Sequence, residues 1–348
     1  MDENLAGELG QRLINSIKTK DYDEARRLLN EGADPRWSDE SGLNAMDYVQ
    51  LNNDKDFFKE IIIANRKINV RTVVAKLPEL IDRIFQIPDM SFQFKWKVYS
   101  WMPLVTSFCP NDVWTVYKVG GKVRIDSTTA DWTGSRWARG DISLYIDLHV
   151  PDLRDSFIII DNNTGERVNL LREVENSDEI DIDVDNLLKM DLLKGSLHPE
   201  VFQINRSKGT FGRDLPPVNI ENRWSATQYD LTNAKITFLY YYSENFGKPD
   251  QEPIVHSKTY SGKFWCSRDF PVQPSAITPF LEALTPFKET AKNILTLLGM
   301  FESGMPVKAT VYVFPTVKFA YEIVNYTDNI ELFGTKVDMP PPPETPQN

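Results

Sequence analysis

Beyond Met90 the sequence breaks into short runs in which apolar and polar residues alternate, parted by turn signals: FQFKWKVYSW, DVWTVYKV, KVRIDST, DISLYIDLHV, SFIIID and AKITFLYYY. A period of two sends successive side chains to opposite faces, which suits strands and not amphipathic helices. Gly120-Gly121 and the DNNTG stretch from Asp161 to Gly165 are hairpin turns of the kind that strand twist favours. These features predict a large antiparallel sheet. Five of the eight tryptophans, Trp96, Trp101, Trp114, Trp132 and Trp137, crowd into its first part. Alternation groups Trp96 with Phe94 and Val98, and Trp114 with Val116, so the indoles are expected to fill the interior of a curved sheet. An aromatic groove that holds a client is the alternative use for them.

Before Met90 the texture is helical. From Leu13 onward two short helical patterns flank a Gly32-Ala33-Asp34-Pro35 turn, and a second pair follows, with helices at about Leu13 to Lys18, Tyr22 to Asn30, Asn44 to Asn52 and Asp54 to Ala64. Two helices, GADP, a polar finger and a G-x-x-A opening the next helix form the layout of an ankyrin repeat. The match is imperfect, because Asp47 and Tyr48 stand where the repeat usually carries His-Leu. Fewer than two repeats are visible, whereas about three are normally needed for a stable stack. Val73, Leu77, Leu80, Ile81 and Ile84 at helical spacing predict a helix that caps it.

The expected class is therefore α+β: degenerate ankyrin repeats over 1–68, a capping or linker helix over 69–89, a β-rich domain over 90–332 and a proline-rich disordered tail over 333–348. Within the β-rich part, the acidic, weakly patterned stretch from Glu173 to His198 reads as a long loop or insertion. Ile277, Phe280, Leu281, Leu284, Phe287, Ala291, Ile294, Leu298 and Phe301 predict one long amphipathic helix, with Pro279 and Pro286 delaying its start or bending it near Thr285.

Chemistry finds little purchase in this sequence. A net charge of −11 without a basic stripe argues against nucleic acid. Cys109 and Cys266 are far apart, which suggests neither a disulfide framework nor a zinc knuckle. No apolar run approaches the roughly 18 to 20 residues of a membrane span, so a cytoplasmic location is expected and the sequons at Asn162, Asn205 and Asn325 carry no meaning. The three histidines, His149, His198 and His256, sit in no metal or nucleophile motif, and the Gly120-Gly121-Lys122 turn lacks the rest of a phosphate loop. The DIDVDN stretch from Asp181 to Asn186 imitates a calcium loop but has Asn at position six and Leu192 at position twelve, so a solvated acidic loop is preferred. Arg139-Gly140-Asp141 reads as a turn. Pro340 to Pro343 form a polyproline segment that an SH3 or WW domain could read, a disordered end being the plainer reading. No cofactor, metal or catalytic residue is expected.

The candidate partner-binding residues lie in the finger ADPRWSDESG, Ala33 to Gly42. They are Arg36, Trp37, Asp39 and Glu40. A large aromatic among charges on an exposed turn suits a binding anchor. The alternative is that Trp37 folds back to seal the junction with the sheet domain.

Three blocks resemble one family. Trp101 to Leu104 (WMPL), Cys109 to Asp112 (CPND), Arg124 to Thr128 (RIDST) and Trp137 to Ser143 (WARGDIS) are similar to the start of the GPCR-chaperone domain of the ankyrin repeat domain-containing 13 proteins. YDLTNAKITF from Tyr229 resembles a second block. FWCSRDFPVQPSAITPFLEAL with MPVKATVYVFPTVKFAYEI resembles the terminal one. The resemblance covers almost the whole chain in the family's order. It implies non-enzymatic binding and escort: chaperones of G-protein-coupled receptors at the endoplasmic reticulum, or adaptors for ubiquitylated membrane cargo on endosomes, with peripheral membrane association. The adaptors use ubiquitin-interacting motifs that this sequence lacks, so the chaperone branch is the nearer analogy. A lipid-binding module, with curved sheet and helix around an apolar ligand, is the alternative from a different class.

Overall fold

A computed structural model describes residues 3–100, 102, 109–132, 137–172, 177–249, 251–285, 289–301 and 303–341. The chain divides into two compact units. The first is Met1–Thr72, Glu173–His198 and Lys235–Lys258; the second is Val73–Arg172, Pro199–Ala234 and Thr259–Asn348.

In the first unit the helices are α1 (Glu3–Lys18), α2 (Tyr22–Glu31), α3 (Ala45–Asn52) and the first half of α4 (Lys55–Ile84). Their ends follow from local chemistry. Asp21 caps α2 by accepting from the Glu24 amide, and Gly32, at φ +98°, ends it in the left-handed conformation that spares a glycine any Cβ clash. Asn44 and Asp47 form a reciprocal capping box on α3. Leu13, Ile17, Ala25, Leu28, Val49, Phe57, Phe58 and Ile61 are buried in one core, with Tyr22 stacked on Phe57 at 4.2 Å between ring centroids.

The acidic stretch is not a loop. It forms helix α5 (Ser177–Lys189) and strand β7 (Leu192–Leu197). Ile180 and Val184 are one helical turn apart and are buried in the same core, with Leu187 and Leu188 packed against it. Pattern reading missed this helix because aspartates fill the positions between these apolar residues. The carboxylates meet cations of α4: Asp183 pairs with Arg66 at 2.5 Å, Asp185 with Lys55 at 2.6 Å, and Asp181 with Lys59. The calcium-loop imitation is thus a helix face. Gln50 donates to the carbonyls of Leu187 and Met190, fastening the end of α5 to α3.

The remaining strands are β1 (Met90–Ser100), β2 (Asn111–Val119), β3 (Lys122–Trp132), β4 (Trp137–Asp147), β5 (Phe157–Asp161), β6 (Arg167–Asn169), β8 (Gln203–Arg206), β9 (Val218–Ile220), β10 (Trp224–Tyr241), β11 (Ile254–Ser267), β12 (Met305–Phe314) and β13 (Val317–Thr327). All thirteen join one antiparallel sheet in the order β6-β5-β4-β3-β2-β1-β13-β12-β11-β10-β7, with β8 and β9 also paired to β10. The α+β class read from the alternation is what the chain adopts. Both predicted hairpin turns are present, between β2 and β3 and between β5 and β6.

Two clusters of buried residues lie within the second unit. One gathers Met90, Ile220, Trp224, Phe270, Val272, Val307 and Ile323; the other gathers Leu231, Phe264, Cys266, Phe301 and Ala309. The long C-terminal amphipathic pattern is carried by two helices, α6 (Pro274–Leu284) and α7 (Glu289–Gly299), with α6 ending at Thr285 where the break was expected. Phe333 and Val337 are buried. Arg167 donates to the carbonyls of Pro340 and Pro341 at 2.7 Å each, while Pro342 and Pro343 lie outside the described residues. Among the described residues no helix is long and apolar enough to cross a membrane, which is silent on strands.

Candidate functional site

The finger between α2 and α3 is organised by Asp39. Its carboxylate accepts the amide of Ser41 at 3.0 Å, the hydroxyl of Tyr48 at 2.6 Å and Lys18 Nζ at 3.2 Å, and its backbone exchanges hydrogen bonds with Leu43 and Gly42. Burial works to raise the Asp39 pKa, but the hydrogen bonds from Ser41, Tyr48 and Lys18 outweigh it and hold the carboxyl below the ordinary aspartate value. Burial and the bond to Asp39 push the Tyr48 phenol up. Asp47 and Tyr48, which break the repeat's usual His-Leu, therefore have their own tasks: Tyr48 holds the finger, and Asp47 caps α3 and pairs with Lys194 at 3.1 Å in a nearly buried contact.

Arg36 forks onto Asp34, with contacts at 2.9 and 2.6 Å, and reaches Thr72 at 3.2 Å. Trp37 is half-buried. Its indole lies on α1 so closely that a Cβ built on Gly10 would stand 2.4 Å from Cγ. Glu40 is exposed at the tip. The four candidates are thus neighbours on one rigid turn, three of them engaged with their own unit. Beside it, α2 and α4 border a groove of about 750 Å³ lined by Leu29, Ile63 and Ile68 with Arg26, Lys67 and Arg71.

On the sheet, motif residues far apart in sequence meet. Asp112, the last residue of CPND, is 1% exposed. It accepts Trp114 Nε1 at 2.7 Å, Ser127 Oγ at 2.8 Å, and Thr128 N and Oγ1 at 3.2 and 2.6 Å. Ser127 and Thr128 belong to the RIDST block. A second network ties that block to WARGDIS: Asp126 accepts Arg124 Nε at 2.6 Å and Ser143 Oγ at 2.7 Å. Arg124 also sits over the Tyr145 ring at 5.1 Å. No spacing rule in the sequence joins positions 112 and 128; only strand register does.

The indoles do not follow the expected interior pattern. Trp114 is 40% exposed and Trp96 half-buried. With Phe94, Tyr321 and Phe319 they form a ladder of rings along β2, β1 and β13, successive centroids lying 4.8 to 6.3 Å apart. Burial pushes the Tyr321 phenol far up, and its hydroxyl donates to the Pro306 carbonyl. Among the described residues, Trp224, outside the tryptophan-rich stretch, is a buried indole, 5% exposed. Trp101 and the side chains of Trp132 and Trp137 lie outside the described residues.

Ankyrin repeat domain-containing protein 13C-B of Xenopus laevis is 23% identical over 349 aligned residues, covering 84% of this chain and 68% of the relative. The human 13C protein is 22% identical, with 84% and 64% covered. Human 13A is 28% identical over 182 residues, 48% of this chain and 30% of its own length. The chain is a distant homologue of the ankyrin repeat domain-containing protein 13 family. Its match to the 13C members spans about two thirds of their length. No family model matches the chain.

Proposed function

We propose that this protein is a non-enzymatic binding protein, a cytosolic chaperone or trafficking adaptor for membrane-protein clients such as G-protein-coupled receptors. The observation that carries the reading is homology to the 13C proteins over most of the chain. Two geometric features support it. Asp39 in the finger and Asp112 and Asp126 in the motif blocks are occupied by structural hydrogen bonds. The ladder of rings offers a half-exposed apolar strip on which an extended client segment could pack. In the finger, Arg36, Trp37, Asp39 and Glu40 are the partner-binding candidates, because a turn already rigid loses little ordering entropy on binding.

The clients would be met at the cytosolic face of the endoplasmic reticulum or of endosomes. Proximity labelling with the tagged full chain in its native cell tests this. Enrichment of multi-span receptors over a matched cytosolic control is expected, and a harvest of soluble proteins alone would sink the reading. Native mass spectrometry of the purified chain covers the alternative: a lipid carried at near-equal stoichiometry would favour an apolar-ligand carrier instead.

A further inference from the structure

Phe211 is 95% exposed, the highest value among the large apolar side chains described. It also holds φ +64°, a left-handed conformation that a bulky L-residue rarely adopts without compensation. It stands at the tip of the loop between β8 and β9, in Ser207-Lys208-Gly209-Thr210-Phe211-Gly212-Arg213-Asp214. The base of the loop is closed. Leu215 N donates to Ser207 O at 3.0 Å, Gly209 N to Arg213 O at 2.7 Å, and Asp214 pairs with Lys208 and, at 3.4 Å, with Arg206. Ser207 is fully buried and accepts from Gln228. The Leu215 side chain packs over Gly209, where an added Cβ would lie 2.9 Å from its Cδ2. The loop is therefore a stiff stub that holds a phenyl ring in water.

Around the ring the charge reverses that of the molecule. Arg206, Lys208 and Arg213 against Asp214 leave a local balance of +2 (three cations less one anion) on a chain of net −11. Arg213 is exposed and has no ion pair among the described residues. We infer that this loop docks the protein on an anionic lipid bilayer, the Phe211 ring entering the headgroup boundary while Arg213 meets lipid phosphate and Arg206 and Lys208, shared with Asp214, keep the rim positive. A protruding ring backed by cations suits a flat, negatively charged, penetrable surface. This proposal does not depend on client binding, since a bilayer can be bound with no client present.

The test is sedimentation of the full chain with vesicles of phosphatidylcholine alone or with 30% phosphatidylserine as probe. Binding to the serine-containing vesicles only is expected, weakening by about fivefold or more in Phe211→Ala and again in Arg213→Ala, in line with the usual worth of one inserted ring or one cation at a membrane surface. Phe211→Trp should bind as well as the parent. Because Phe211 touches almost nothing, Phe211→Ala should melt at the parent's temperature. Equal binding by Phe211→Ala, or no preference for serine-containing vesicles, overturns the proposal. So does a Phe211-dependent capture of a soluble protein with vesicles left unbound.

Discussion

At the scale of single residues, the acidic side chains are placed to hold structure. Asp112 is buried and accepts from Trp114, Ser127 and Thr128, so removing its carboxylate strands an indole N–H and two hydroxyls. Asp112→Ala should cost about 3 kcal/mol or more, the range for breaking hydrogen bonds to a buried charge, read as a lower urea midpoint at unchanged slope. Asp39 makes a pH prediction. Its folded pKa lies below the ordinary value near 3.9. Its stabilisation is therefore complete above that value and lost as pH falls through the folded pKa. The full chain should melt progressively lower as pH drops below about 4, and Asp39→Asn should melt lower at pH 7 with a flatter acid limb. A parent and variant with parallel acid limbs would show that Asp39 is not the group responsible.

At the scale of elements, α5 determines whether the ankyrin-like helices can stand alone. Its Ile180 and Val184 complete a core otherwise built from residues before 63. Its three aspartate bridges to α4 have side chains nearly half exposed on the acidic side, so water and salt screen them and each contributes little. Burial rather than charge should hold this helix. A fragment of residues 1–72 should be largely unfolded by circular dichroism, whereas the full chain melts cooperatively. Ile180→Ala in the full chain should cost about 2 to 5 kcal/mol. A sharp melt of the short fragment would show that the stack needs nothing from later in the sequence.

At the scale of the whole molecule, the finger has to be judged by stability and client capture together. Trp37 lies on α1 at Gly10, so Trp37→Ala removes packing as well as any contact surface. Gly10→Ala displaces the indole while leaving it in the protein. If the finger binds through the indole's outer edge, Trp37→Ala loses receptor capture, measured on the same preparation as its melting temperature, by more than its lowered stability explains. Gly10→Ala should then reduce capture in step. Melting temperatures that fall by several degrees with capture intact in both variants would assign Trp37 to packing alone.

Local pattern was enough for strands β1 to β5 and the end of β10, the hairpin turns, the helix ends at Gly32 and Asn44, and the break at Thr285, because period, caps and proline act over a few residues. The family resemblance was legible too, since motif blocks are contiguous strings. The tertiary structure alone decided the rest. Whether an acidic stretch becomes a helix depended on a core that accepts Ile180 and Val184 more than a hundred residues after Phe57. Asp112 gained its role from the strand register that brings Ser127 and Thr128 beside it. Trp114 proved half-open although its alternation matches that of a buried position, because period two separates two faces without saying which of them is covered. The finger's residues were found from sequence, but their partners were not: Asp39 meets Lys18 and Tyr48, and Trp37 meets Gly10, across turns whose closure no local rule specifies.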